Sequence, residues 1–185
     1  MSQAAENIRV LVPLAPGAEE LEAVTIIDLL RRAGFTVVVA GLDEGPVQCS
    51  RGTVILPDQP LAAVLNEDFD LIALPGGLPG ADHLRDDARV QALLLRQSDA
   101  GRLVGAVCAA PKALASAGLL TGRRATAYTG ALDESGTPST GAAVEIDGGV
   151  VTGRGPGVAM DFALTLIEQL AGTEARQRVE GPLLR

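Results

Sequence analysis

Residues 7–42 read NIRVLVPLAPGAEELEAVTIIDLLRRAGFTVVVAGL. The first eight, NIRVLVPL (7–14), are almost continuously apolar, the pattern of a strand buried on both faces. Gly17 then supplies a turn. Leu21, Val24, Ile27, Leu29 and Leu30 recur at helical spacing. Glu19, Glu20 and Glu22 load the first turn, Arg31 and Arg32 load the last, and Gly34 stops the helix. TVVVAGL (36–42) is a second buried strand. A strand, a helix and a strand in 36 residues make a βαβ unit, and such units build parallel sheets covered by helices.

The same alternation continues outward. VQCSRGTVILPD (47–58) predicts a small hairpin and PLAAVL (60–65) a short helix. FDLIALPGG (69–77) is a strand ending in a Gly-rich loop, and DARVQALLLRQSDAG (87–101) is an amphipathic helix. RLVGAV (102–107) is the next strand. PKALASAGLL (111–120) is a helix with Pro111 in its first turn, where proline is tolerated. RATAYTG (124–130) reads as a strand and DESGTPSTGA (133–142) as a polar loop. AVEIDGGVVTG (143–153) is a hairpin turning on Asp147-Gly148-Gly149. VAMDFALTLIEQLAG (158–172) is a long helix capped by Gly172, and a short polar helix follows near 173–179. The expectation is an α/β fold, a single domain over 1–185 with a mostly parallel central sheet.

Composition agrees with one soluble domain. The chain has 185 residues, 47% apolar and 21% charged; aromatics are only 2%, so Ala, Val, Leu and Ile must fill the core. A net charge of −8 argues against nucleic-acid binding and against docking on anionic membranes. No apolar run is long enough to span a membrane, and MSQAAENIRVLVPL lacks the basic start of a secretory signal. A cytoplasmic protein is expected, and there Cys49 and Cys108 are expected to be free thiols.

In parallel α/β folds, ligands bind beyond the carboxyl ends of the strands. Gly17–Glu22, Pro75-Gly76-Gly77 and Cys108 all fall there. In GAVCAAPKA (105–113), Cys108 sits between a strand end and a helix start. Such a turn exposes a side chain like a nucleophile elbow, and the helix N-terminus favours thiolate. An inert buried thiol fits the same place. Glu22 lies at the same end of the sheet. A carboxyl facing a thiol must hold a proton or repel the thiolate, and a protonated Glu22 would donate to sulfur. Solvated partners of the helix dipole are the reading for the other two glutamates. The amides of Pro75-Gly76-Gly77 suit an oxyanion hole or a plain turn. GRGPG (153–157) lacks the spacing of a phosphate loop. His83, the only histidine, reads as a rim residue rather than a base.

Five ordered segments, LAPGAEELEAVTIIDLLRRAG, VQCSRG, LPGG, AVCAAP and GRGPG, carry a resemblance. The chain resembles the ThiJ/PfpI superfamily, in its protein-deglycase (DJ-one/YajL-like) branch, over nearly its whole length and most weakly at 131–145. The resemblance implies a flavodoxin-like three-layer sandwich and a homodimer. It implies that Cys108 is the reactive, oxidation-prone cysteine and Glu22 its protonated partner, with the backbone of Gly77 and Ala109 around the sulfur. It places Cys49 and Arg51 near the dimer interface, with Arg51 reaching toward the partner's site. The chain departs from parts of the superfamily in two places. Ala109 follows Cys108 where some branches carry a histidine, which disfavours a Cys-His hydrolase. Tyr128 stands where the human branch has a histidine, and a phenol is a poor base near neutral pH.

Two functions follow as expectations. One is a stress-response enzyme that needs no metal or organic cofactor and acts on small α-dicarbonyls or glycated substrates, of glyoxalase or deglycase type, with Cys108 as nucleophile. The other is a redox sensor or chaperone in which Cys108 oxidises to sulfinate.

Overall fold

The computed structural model describes residues 8–185. Residue 7 of the first expected strand, and 1–7 of the opening in which no leader was expected, lie outside the described residues. β1 (Arg9–Leu14), α1 (Glu20–Arg32) and β2 (Thr36–Gly41) form the βαβ unit read from the sequence. β1 and β2 pair in parallel, Arg9 opposite Thr36 through Leu14 opposite Gly41. β3 (Val47–Gln48) and β4 (Val54–Ile55) form the small antiparallel hairpin.

β5 (Gln59–Pro60) leads through a short 3-10 turn to β6 (Leu71–Leu74). Then come α2 (Gly80–Asp86), α3 (Ala88–Asp99), β7 (Leu103–Val107), α4 (Pro111–Ser116), the hairpin β8 (Val144–Asp147) and β9 (Val150–Gly153), and α5 (Ala159–Glu180). The central sheet has seven strands in the order β5-β2-β1-β6-β7-β9-β8. Only the β8–β9 pair runs antiparallel. Successive residues of β1 face opposite cores. Val10, Val12 and Leu14 pack with α1 and α5, while Leu11 packs with the α2–α4 side. The molecule is therefore the expected three-layer sandwich.

Strand order places the site. β1 connects to β2 on one side, and β6 returns to the other side of β1, so the chain reverses direction between β1 and β6. Loops 15–19 and 75–79 meet over that gap, the usual binding crevice of such sheets. Cys108 leaves the next strand, β7.

Three expectations need correction. Residues 124–130 are not a strand: only an isolated bridge, Ala125 to Ser139, is present. The Thr126 and Tyr128 amides are spent elsewhere, on Thr152 Oγ1 and on the Cys108 carbonyl, so no ladder forms. Residues 80–86 form a helix the sequence reading missed, because its inward face is only Gly80, Ala81 and Leu84. α4 stops at Ser116, short of the expected 120. The final helix behaves as read: Gly172 breaks α5 with a non-helical φ of 81°. No helix among the described residues is long and apolar enough to cross a membrane.

Candidate active site

Cys108 is the first residue beyond β7, and its φ is 62°. An L residue in the left-handed region costs on the order of 1–2 kcal/mol. The strain is held by bonds on both sides of the residue. The Cys108 amide donates to the Gly153 carbonyl at 2.9 Å, and the Cys108 carbonyl accepts from the Tyr128 amide at 2.8 Å. Contrary to the exposed side chain expected of such an elbow, Cys108 is buried, 7% exposed, because the 75–77 loop and Glu22 pack over it. α4 has six residues, too short for its dipole to dominate the thiol. The individual Gly77 and Ala109 amides favour the thiolate instead.

Glu22 projects from the first turn of α1 and is fully buried, at 0% exposure. Its Oε2 accepts from the Gly76 amide at 2.8 Å, and its Oε1 has no hydrogen-bond partner. Burial pushes its pKa up to about 7 from an ordinary 4.5; the Gly76 amide and the Cys108 thiol pull the other way, and Glu19 adds to the rise. With Glu22 ionised, the Cys108 thiol is pushed up to about 12, by burial first and then by the Glu22 charge and hydrogen bond. Two negative charges cannot share this dry site cheaply. The pair therefore holds at least one proton near neutral pH, and each group titrates only in relation to the other.

Gly76 lies between the two groups. A Cβ built there falls 2.8 Å from Cys108 Cβ, from Glu22 Oε2 and from the Val107 carbonyl. Gly77, at φ 90°, packs bare backbone against Gly17, Ala18 and Glu19. The Gly-rich loop is thus locked onto the N-terminus of α1, with its amides turned toward the site.

Glu19 and Glu20 are not free helix-dipole partners. Ser50 Oγ donates to Glu19 Oε2 at 2.8 Å and to Glu20 Oε2 at 3.2 Å. The Arg51 and Thr53 amides also donate to Glu20. Burial opposes ionisation of Glu20, but these amides and its own hold its pKa down to about 2. The 50–53 turn is pinned to α1 in this way. Cys49 is buried beneath it, and burial together with the Glu20 and Glu19 charges raises its thiol pKa. Arg51 is largely exposed, its side chain 3.9 Å from Glu19.

Of the nominated residues, the structure brings together Glu22, Cys108, Gly77, Ala109 and the Tyr128 backbone. Cys49 and Arg51 sit on the neighbouring turn and hydrogen-bond to neither Glu22 nor Cys108. The Tyr128 ring is 54% exposed beside the 154–158 loop. His83 is an exposed rim residue, as read, and its Nδ1–H donates to the Pro16 carbonyl at 2.9 Å. Sequence reasoning missed Gly76 as the spacer between carboxyl and thiol. It also missed Gly153, whose contribution is a backbone carbonyl and leaves no mark in residue type. Among the described residues, no cluster of His, Cys, Asp and Glu has the convergence of a metal site.

A cysteine on a strained elbow, a buried carboxyl and backbone amides at the switch point of a parallel sheet define a class of thiol-centred α/β proteins. The chain belongs to the DJ-1/PfpI family, which it matches over residues 8–169. It is 45% identical to Protein dj-1beta of Drosophila melanogaster over 178 residues, covering 94% of this chain and 95% of that one. It is 38% identical to Glutathione-independent glyoxalase DJR-1.2 of Caenorhabditis elegans over 176 residues, 94% of each. The solved structure of oxidised DJ-1 from Toxoplasma gondii superposes with a TM-score of 0.91 at 42% identity, covering 96% of this chain and 98% of that one.

Proposed function

We propose that the protein is a cytoplasmic, cofactor-independent enzyme of glyoxalase or deglycase type that acts on small α-dicarbonyls. The observation that carries this reading is the Glu22 carboxyl, buried and raised to about 7, facing a strained Cys108. A group of that pKa gives and takes protons at neutral pH. The relative named as a glutathione-independent glyoxalase supports the reaction class.

With methylglyoxal, the Cys108 thiolate adds to the aldehyde carbon. A C–S bond forms, and the carbonyl electron pair becomes an alkoxide that takes the Glu22 proton. Glu22, now a carboxylate, removes the C–H proton of the former aldehyde carbon. The resulting enediol is reprotonated on the adjacent carbon, which leaves a thioester of a 2-hydroxy acid. The Gly77 and Ala109 amides, which favour the thiolate, would also stabilise charge that develops on the adduct beside the sulfur. Water then adds to the thioester, the C–S bond breaks, and lactate leaves as the thiol is restored. The net change is addition of one water, with no outside oxidant or reductant. The test is lactate production without glutathione, in wild type and Cys108→Ala. Turnover that is lost in the variant is expected; equal turnover in both, or none in freshly reduced wild type, overturns the reading.

A second reading rests on the same donors. Peroxide would convert the thiolate to sulfenate and then sulfinate, releasing one water-equivalent at each step. The Gly77 and Ala109 amides and a protonated Glu22 would hold the two oxygens. That a relative is described in an oxidised form favours it. Mass spectrometry after mild peroxide would then show two added oxygens on Cys108 and none on Cys49; equal oxidation of both cysteines counts against a tuned site.

We also infer a homodimer. Val24, on α1, and Leu56, just beyond β4, line one surface groove and are 51% and 75% exposed. Leu21 and Val54 extend the apolar face toward the Cys49–Arg51 turn, at 51% and 60% exposure. An apolar face of this kind suits a second copy of the chain. Sedimentation should give a dimer, and Leu56→Asp should shift it to monomer.

A further inference from the structure

A cleft of about 330 Å³ opens between Tyr128-Thr129 and residues 154–158. Both of its walls are tied to the reactive cysteine. Tyr128 donates its amide to the Cys108 carbonyl at 2.8 Å, and Gly153, the residue before Arg154, accepts the Cys108 amide at 2.9 Å. Backbone bonds thus fix both walls to the elbow, although Cys108 itself does not line the cleft. One wall presents an exposed phenol ring. The other presents Arg154, whose Nη1 donates to the Gly141 carbonyl at 3.0 Å and which forms no salt bridge among the described residues. Most cations of this acidic chain are paired: Arg9, Arg31, Arg32, Arg85 and Lys112 all have carboxylate partners. An unpaired guanidinium lining a cleft in a chain of net charge −8 is a feature that attracts anions.

We propose that Tyr128 and Arg154 form a specificity subsite for a carboxylate on the far end of an α-oxoaldehyde. The proposal rests on the dicarbonyl reading of Cys108 and narrows its substrate class. The neutral α-oxoaldehyde would sit over the thiol with its substituent in the cleft. A terminal carboxylate there would pair with Arg154, while Tyr128 covers the intervening methylenes. The reaction is unchanged: one water is added, and the product is a 2-hydroxydicarboxylate instead of lactate.

The experiment compares kcat/KM for methylglyoxal and for 4,5-dioxopentanoate in wild type, Arg154→Gln and Arg154→Lys. Wild type should prefer the carboxylate-bearing substrate. Arg154→Gln should lower that preference about tenfold, chiefly through KM, and Arg154→Lys should restore part of it. No preference in wild type, or an equal loss on both substrates, overturns the proposal. A second readout needs no turnover: the ratio of Cys108 alkylation rates by iodoacetate and by iodoacetamide. Arg154→Gln should lower the ratio several-fold, and an unchanged ratio overturns the subsite. If neither dicarbonyl is turned over while the alkylation ratio still falls, the enzyme reading fails and the anion subsite stands.

Discussion

The Gly76 amide donates to Glu22 Oε2 at 2.8 Å, and the same glycine supplies the gap through which that carboxyl meets Cys108. One residue thus orients the acid and leaves it room. Gly76→Ala would place a methyl 2.8 Å from Cys108 Cβ, Glu22 Oε2 and the Val107 carbonyl at once. Two of these neighbours are backbone or a short side chain and cannot swing away. The expected cost is roughly 2 kcal/mol of stability by overpacking. Activity should fall much further, because the carboxyl and thiol are forced apart. Urea unfolding beside lactate assays separates the two effects.

The raised Glu22 pKa has a consequence for stability. In the unfolded chain the group titrates near 4.5, and in the folded protein near 7. The folded state therefore keeps a proton that the unfolded state has already lost. The group's contribution is full below pH 4.5 and falls as pH rises, and the loss is complete above about 7. The total is on the order of 3 kcal/mol. Glu22→Gln carries no such titration. The variant should match wild type near pH 4.5 and exceed it at pH 8, by denaturant midpoints compared at both values.

Much of this was legible in the sequence, for reasons particular to each part. β1 and β2 were readable because continuous apolar runs have few other interpretations. α1 was readable as a helix, but Leu21 and Val24 of its apolar stripe face outward, and Ala23 and Ile26 fill the inner face with Leu29 and Leu30. Cys108 and Glu22 were readable because strand ends in a parallel sheet converge. Residues 124–130 misled, since TAYT has the composition of a strand while its amides are consumed by Thr152 and by Cys108. α2 was hidden because a seven-residue helix shows barely two turns of periodicity. Gly76, Gly153 and the ties of Glu20 to the 50–53 turn act through backbone groups, which residue types do not display.

Glu22→Gln should also move the thiol. The Glu22 charge is the second-largest cause, after burial, of the Cys108 shift to about 12, and a neutral amide removes it. The pH midpoint for alkylation of Cys108 by iodoacetamide should fall in the variant, while that of Cys49 stays put. Turnover should nevertheless drop about a hundredfold, because an amide cannot relay a proton. A variant with a more reactive thiol and less catalysis would separate nucleophile activation from proton transfer. Retained turnover would remove Glu22 from the mechanism.

The 49–53 turn offers a test independent of the active site. Glu20 accepts from the Arg51 amide at 3.0 Å and from the Thr53 amide at 3.2 Å, and these bonds to the ionised form help hold its pKa near 2. Its support for the turn is present above the ordinary carboxylate value of 4.5 and is lost as pH falls through about 2. Glu20→Ala removes it at every pH. Hydrogen exchange should then speed up at the Arg51 and Thr53 amides. It should not change at Gly76, whose amide is bonded to Glu22. Because the turn borders the apolar face of Leu21 and Val54, the same variant should weaken self-association, read by the concentration dependence of sedimentation. Faster exchange with unchanged self-association would show that the Glu20-held turn takes no part in the interface.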